Sequence, residues 1–177
     1  MSMEAGKILR HYLVNTLNQK CIRSTIMDIS EARRQEKIFS KEMNLVDGDI
    51  VICSTGAGTL GRVGKVFGEY KNTTFDSHVT LVRASQNIGK QYLFHAIKEK
   101  QEFLQNAGRG STNQLELNKS VIGEISLVVP QKHILDMFES MVQNIHMQIS
   151  LLNSKLVKLK EQRSLLLPKL FHCHTEF

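Results

Sequence analysis

The chain has 177 residues, 41% of them hydrophobic, and its 23 basic against 17 acidic side chains give a net charge of +6. No apolar run approaches the roughly 18 residues that span a bilayer, and the first 20 residues have no signal-peptide apolar segment. Cys21, Cys53 and Cys173 are scattered and odd in number, which argues against a disulfide framework. We therefore expect a cytoplasmic protein with one domain and an appendage, whose positive charge is compatible with a polyanionic partner.

The first 44 residues have mixed character. Residues 12–16 and 20–26 are compatible with short strands. Residues 30–41 are charged, with Ser30 as a candidate N-cap. They predict a short solvated helix or an ordered loop.

Residues 45–130 have a strand-rich pattern interrupted by one helix. Strands are predicted at 49–53, 62–68 and 78–83, a helix at 88–106, and a final strand at 121–129 that Pro130 ends. Residues 107–113 form a polar loop rich in Gly, Ser and Thr. Because the strands do not alternate with helices, the order predicts an α+β fold and not a doubly wound sheet.

Residues 56–61 match the spacing G-x-G-x-x-G of dinucleotide-binding loops. That function requires a helix directly after the loop, so that its N-terminus faces a pyrophosphate. The residues that follow, RVGKVFG, favour a strand because they contain two further glycines and two valines. We interpret the motif as a glycine-rich turn between strands; a nucleotide-binding enzyme is the rival interpretation, and it predicts thermal stabilisation by a dinucleotide.

No other catalytic motif is apparent, and the expectation is a protein without catalytic residues, cofactor or metal of its own. There is no P-loop and no Gly-x-Ser-x-Gly elbow. The cluster His172-Cys173-His174 has three potential metal ligands, but adjacent residues of a helix cannot all point at one ion. A frayed tail over residues 172–177 is the interpretation we adopt.

Two polar loops have the chemistry of nucleic-acid contacts, although an ordinary polar turn is the better explanation of each loop taken alone. Arg pairs bidentately with guanine, Asn and Gln with adenine, and Ser, Thr and Lys hold phosphates. The predicted contacts in these loops are Lys71, Asn72, Thr73, Thr74, Arg109, Ser111, Thr112, Asn113 and Gln114. Arg62 and Lys65 are added as candidate phosphate contacts, with solvated strand residues as the alternative.

The last third of the chain carries apolar residues at heptad spacing, which is typical of a coiled-coil seam. The predicted seam is Leu135, Phe138, Val142, Ile145, Ile149, Leu152, Leu156, Leu159, Arg163 and Leu166. Only Arg163 is polar, and a polar residue there can fix the register or choose the partner. Since no second helix of matching length is predicted, the seam is expected to pair with another chain, and Pro168 is expected to end the helix.

Taken in order, these segments resemble the target-recognition domain of the specificity (S) subunits of type I restriction–modification enzymes. The stretch LVDGDIVICSTGAGTLGRVGKV resembles the family's Gly-Asp-Ile strand, Gly-rich turn and Gly-Arg-Val-Gly segment. HVTLVR, AGRGSTNQLELNKSVIGEISLVVP and the helix ending in LKEQRSLLLPKLF resemble the segments that follow, and the resemblance covers residues 10–171. It implies a domain that reads half of a split DNA sequence, and a spacer helix that packs antiparallel against a second one.

The resemblance also implies that catalysis belongs to modification and restriction subunits, which use S-adenosylmethionine and ATP. This chain departs from the family in having one recognition domain and one spacer helix, where a full S subunit has two of each. It has no Trp, and Gln131-Lys132-His133 follows Pro130 where the family has a second Pro and a Glu-Gln pair. A natural half-subunit, a fragment and a decayed copy all fit these departures.

The sequence thus predicts a compact mixed-sheet recognition domain at 1–130, one long coiled-coil helix at 131–171 and a tail at 172–177. The predicted function is non-catalytic recognition of double-stranded DNA within a type I restriction–modification complex, with a homodimer formed through the helix. The alternative is a non-catalytic coiled-coil adaptor without DNA specificity. It predicts no salt-dependent affinity for DNA, whereas phosphate contacts require one.

Overall fold

A computed structural model of the protein describes residues 12–37, 39–110 and 115–172. Its strands are β1 Tyr12–Leu17, β2 Arg33–Lys37, β3 Ile50–Cys53, β4 Val63–Lys65, β5 Thr73–Phe75 and β6 Val79–Val82. Its helices are α1 Lys90–Glu99, α2 Gln101–Asn106, α3 Lys119–Gly123 and α4 Lys132–His172. Short 3-10 turns occur at Gln19–Cys21, Ile29–Glu31 and Lys41–Met43. The predicted α+β class, with a long C-terminal helix after the sheets, is confirmed.

Two three-stranded sheets form the domain, in the orders β2-β1-β5 and β4-β3-β6. β1 and β5 run parallel, while the other neighbouring strands are antiparallel. β3 is buried on both faces, which explains its continuous apolar sequence. Ile50 and Ile52 join a core with α1 and α2, whereas Val51 and Cys53 join a second core with the first sheet.

An ion pair fixes the start of β3. Asp49, whose side chain is 1% exposed, accepts two hydrogen bonds of 2.7 Å from Arg83, one on each carboxylate oxygen. Asp49 also accepts from the Val46 amide at 2.9 Å, and Arg83 donates to the carbonyls of Glu42 and Asn44. The bidentate geometry is the strong form of a charge-assisted pair, and it ties the turn before β3 to the end of β6.

The first half of α4 packs on α1 instead of standing apart from the domain. Leu135 is buried, and the rings of Tyr92 and Phe138 meet edge to face at 6.0 Å. Glu139 accepts hydrogen bonds from the Tyr92 amide at 2.7 Å and the Gln91 amide at 3.3 Å. A carboxylate from α4 therefore caps the N-terminus of α1, where the N-cap residue is glycine and offers no side chain.

Several sequence expectations for the N-terminal half are wrong. Residues 20–26 form a 3-10 turn and bends, with only an isolated bridge at Ile26. The segment 30–41, expected as a helix or loop, contains strand β2 at its centre, because its exposed charged residues pair along β1. Thr73 and Thr74, expected in a loop, belong to β5.

Two expectations in the C-terminal half are also wrong. Residues 121–129 are not a strand: Asn118 caps α3 through its side chain, and 125–130 follow without regular structure. Pro168 does not end α4, which continues to His172. Pro168 has no backbone N–H to donate within α4. Only four residues of the helix follow it, so the lost hydrogen bond affects only the end of α4. Within the described residues, no helix combines the length and hydropathy that crossing a membrane requires.

Candidate nucleic-acid interface

The glycine-rich segment is a tight turn between β3 and β4. The Gly61 amide donates to the Cys53 carbonyl at 2.8 Å, and the amides of Thr59 and Leu60 donate to the Gly56 carbonyl. Gly61 has a φ of +70°, and a Cβ there would lie 2.4 Å from the backbone nitrogen of Gln105. The turn thus needs a glycine for its conformation and for its contact with α2. It runs directly into β4, as predicted, without the helix that a dinucleotide site requires.

The strand β6 begins beside this turn and supplies two polar contacts to it. His78 Nδ1 lies 2.7 Å from Thr55 Oγ1, and the His78 carbonyl accepts from the Ser54 amide at 2.8 Å. The hydroxyls of Ser54 and Thr80 are also hydrogen-bonded to each other. An exposed imidazole is therefore held at a defined position on the rim of the turn.

The segment around Arg109 lies against the same turn. Arg109 and Glu116 exchange backbone hydrogen bonds of 3.0 and 2.9 Å, and the Leu117 amide donates to the Ser54 carbonyl at 2.8 Å. These bonds hold Arg109, Glu116 and Leu117 against the turn. Arg109 is therefore presented from a fixed backbone position, as binding residues commonly are.

A cleft of about 710 Å³ opens between the turn, the start of β6 and α3. Its lining includes Ser54, Ser77, Thr80, Arg109, Asn118 and Lys119. Arg109 is exposed, and Lys119 adds a second cation, while Glu116 and Glu124 bring negative charge to the same cleft. Hydroxyl, amide and guanidinium groups of this kind can bond to base edges and phosphates.

The structure brings only part of the predicted contact set together. Of the predicted contacts, Arg109 lines the cleft, and Ser111, Thr112, Asn113 and Gln114 lie outside the described residues. Lys71 and Asn72 are exposed, but they precede β5, whereas Ser77 of the cleft follows it. Three strand residues span about 10 Å, so Lys71 and Asn72 lie at the far end of β5 from Ser77.

Three predicted contacts are not available to a ligand. Thr73 and Thr74 are buried in β5, where their hydroxyls donate to the carbonyls of Lys71 and Met43. Lys65 is 1% exposed and donates to Gln91 and to His146 Nδ1, the latter at 2.8 Å. Burial lowers the pKa of Lys65 to about 8. The burial of Lys65, Thr73 and Thr74 contradicts their prediction as DNA contacts. The sequence did not show this, because the alternation of polar and apolar residues in a short strand does not reveal that both faces of the strand are covered. Arg62 is half-buried and does not line the cleft.

Thr55, His78, Asn118 and Lys119 were absent from the predicted contacts although they lie in or beside the cleft. No sequence signal marked residues 118–120, which lie directly before the strand predicted at 121–129. His78 begins a clear strand pattern, and nothing in that pattern marks its contact with the glycine-rich turn. The side chains of residues 172–174, interpreted as part of a frayed tail, lie outside the described side chains.

The predicted seam of α4 divides into two rows with different surroundings. Leu135 is buried against the domain, and Phe138, Val142 and Ile149 are half-buried. The remaining apolar members of the seam are exposed: Ile145, Leu152, Leu156, Leu159 and Leu166. The expectation that Leu135 pairs with another chain is therefore wrong, since its partner is α1 and the rest of its own domain.

Comparison with known proteins gives one result. A family model, type I restriction modification DNA specificity domain, matches residues 11–154, and no curated protein matches the chain. The match covers both sheets, the glycine-rich turn, the cleft and the half of α4 that packs on the domain. Specificity subunits of this family recognise DNA sequence and assemble with modification and restriction subunits. The chain belongs to the family of type I restriction modification DNA specificity domains.

Proposed function

We propose that this chain reads one half of a bipartite double-stranded DNA site, and that two copies pair through α4 to read an inverted repeat. The family match supports DNA recognition. The paired arrangement draws its support from the exposed apolar residues of α4, which include Leu152, Leu156 and Leu159 and have no cover within the described residues. A two-fold dimer would present two identical domains to two identical half-sites in opposite orientation.

The cleft beside the glycine-rich turn is the proposed position of base contacts. Arg109 is the leading base reader, because its guanidinium is exposed and its backbone is fixed by the exchange with Glu116. Ser111, Thr112, Asn113 and Gln114, which lie outside the described residues, stay proposed contacts on their chemistry alone, and Lys71 and Asn72 are proposed as contacts outside the cleft. Lys65, Thr73 and Thr74 are left out because they are buried.

Catalysis is proposed to reside in the modification and restriction subunits with which the chain would assemble in the cytoplasm. The chemistry of the cleft supports this assignment. Its polar groups are Ser and Thr hydroxyls, Asn, Arg, Lys and Glu, which can bond to bases and phosphates. Such a set suits binding and positioning.

The salt dependence of DNA affinity tests the proposal against a coiled-coil adaptor. Affinity for duplex DNA would be measured between about 50 and 200 mM salt. Each phosphate contact adds about 0.9 to the slope of log affinity against log salt, so a slope of several units is expected. Lys71→Ala should reduce that slope by about 1 while leaving sequence preference unchanged. A flat response would refute DNA recognition and favour the adaptor.

A further inference from the structure

Glu116 lies at the centre of a small antiparallel ladder on the wall of the cleft. It pairs with Arg109 on one side and with Thr55 on the other, through isolated bridges. Glu116 and Arg109 exchange two backbone hydrogen bonds, and the bond from the Leu117 amide to the Ser54 carbonyl secures the other side. The backbone of Glu116 is therefore fixed by contacts on both of its sides.

The side chain of Glu116 points away from the core. Its neighbours Leu115 and Leu117 both pack on the core that contains Ile50 and Ile52, and Leu117 is 1% exposed. Because successive side chains of an extended segment point to opposite faces, the side chain between these two leucines points outward. Glu116 is accordingly exposed and lines the cleft.

The carboxylate of Glu116 has no ion-pair partner in the part of the chain that the structure describes. Arg109 lies directly opposite on the ladder, where Cβ atoms are about 5 Å apart. The two side chains nevertheless form no ion pair with each other. Both charged groups are thus left free to contact a ligand in the same cleft.

The charge of a carboxylate decides which part of DNA it can contact. Close to phosphates it is unfavourable, because like charges repel. In the major groove, guanine presents two acceptors, thymine presents an acceptor and a methyl group, and adenine presents an acceptor beside its amino group. Cytosine presents its N4 amino group as a donor. A carboxylate that faces base edges therefore favours cytosine over the other three bases.

We propose that Glu116 is a specificity-determining residue whose carboxylate accepts a hydrogen bond from N4 of a cytosine in the half-site. The inference rests on the proposed recognition of DNA. Base pairs are about 3.4 Å apart along the duplex, so the spacing of opposed Cβ atoms places this cytosine within about two base pairs of the base that Arg109 contacts. Against any other base the carboxylate stays unpaired, and this penalty rejects wrong sequences.

Glu116→Gln tests the proposal, because it removes the charge and keeps the size of the side chain. Glutamine bonds bidentately to N6 and N7 of adenine. In selection from a random pool of duplex DNA, one position should change from cytosine with the wild type to adenine with the variant. Competition binding should show the preference between these two bases change by on the order of tenfold. Glu116→Ala should show no preference at that position.

Glu124→Gln is the matched control, since Glu124 is exposed and lines the same cleft. It removes an equal charge, so it should raise affinity for all sequences without changing the preferred base at any position. A Glu116→Gln variant with the same profile as Glu124→Gln would overturn the proposal and make Glu116 a source of general repulsion.

Two further outcomes would also overturn the proposal. A change confined to the base position that Arg109→Ala relaxes would make Glu116 a residue that positions Arg109. A wild type that enriches no sequence would refute the proposed recognition function itself, and the inference with it. Wild-type enrichment combined with an unchanged Glu116→Gln preference would leave recognition standing and remove Glu116 from the base readers.

Discussion

The Lys65 ammonium on β4 lies 2.8 Å from Nδ1 of His146 on α4. Gln91 of α1 contacts both groups, and His146 stacks on the ring of His95 at 5.3 Å between centroids. A buried polar cluster therefore joins the sheet, α1 and the long helix. The helix is part of the folded unit over its first half, and this cluster is one of the contacts that attach it.

The His146 contact predicts that the protein loses stability in mild acid. Burial, together with the nearby charge of Lys65, lowers the pKa of His146 to about 4, against an ordinary value of 6.5. Between pH 6.5 and 4 the unfolded state therefore binds more protons, and the free energy of unfolding falls as the pH falls. The Tm of the wild type should drop more from pH 7 to pH 5 than that of His146→Gln. His78→Gln, a control at an exposed position, should show the same drop in Tm as the wild type. Equal drops in the wild type and both variants would refute the explanation.

The Asp49–Arg83 pair predicts a large cost for removing one partner. Arg83→Ala leaves the buried Asp49 carboxylate with the Val46 amide as its remaining hydrogen-bond donor. Asp49 is buried but the Arg83 side chain is 39% exposed, so the cost is that of leaving one buried carboxylate short of donors, about 2 kcal/mol in the free energy of unfolding. The exposed pair Arg23–Glu31 is the control, and Arg23→Ala should cost less than about 1 kcal/mol. Chemical denaturation measures both, and similar costs would contradict the structural role of Asp49.

The glycine-rich turn predicts different responses at two glycines with similar backbone angles. Gly58 and Gly61 have φ values of +76° and +70°, but a Cβ meets nothing within 4 Å at Gly58. Gly58→Ala should therefore cost about 1 kcal/mol from backbone strain alone. Gly61→Ala should cost about 3 kcal/mol, because its Cβ also collides with the backbone of α2. Equal costs by denaturant unfolding would show that the turn does not pack on α2.

Arg109 is predicted to read a base. Arg109→Ala should weaken binding to the preferred DNA by about 1–3 kcal/mol and relax preference at one base position. Arg23→Ala, which removes an exposed arginine outside the cleft, should leave that preference intact. Competition binding against duplexes that vary one base pair at a time measures the effect. A uniform loss across all sequences would make Arg109 a phosphate contact instead.

The elements that the sequence predicts well are those in which burial and periodicity agree. β3 is a short apolar run covered on both faces, and α4 has sustained apolar spacing. β2 was missed because the sequence RRQEK has little strand preference of its own. It is a strand because it pairs with β1, which is a tertiary effect.

The segment 121–129 shows the opposite error. Its apolar residues resemble a strand, and Val121, Ile125 and Leu127 do pack on the core. Asn118 begins a helix there instead, and within the described residues no neighbouring strand pairs with the segment. The two rows of α4 could not be distinguished either, because both are apolar; only the domain packed on Leu135 separates them.

The sequence predicts the family, which the match confirms, but it does not predict the cleft, and a role for Arg109 in DNA contact stays a prediction. The family follows from the order of several segments, which a single sequence displays directly. The cleft depends on bonds between distant residues, such as Thr55 with His78 and Ser54 with Leu117. The burial of Lys65 could not be predicted from the sequence either, because it requires α4 to pack over β4.

The measurement that tests the central claim most directly is selection from a random pool of duplex DNA by the purified chain, at moderate salt and at a concentration that allows pairing. Enrichment of two identical half-sites in inverted orientation, separated by a fixed spacing, is the predicted result. Absence of any enriched sequence would contradict sequence recognition by this chain. Enrichment of one unpaired half-site would contradict the paired arrangement and leave recognition by the single domain standing.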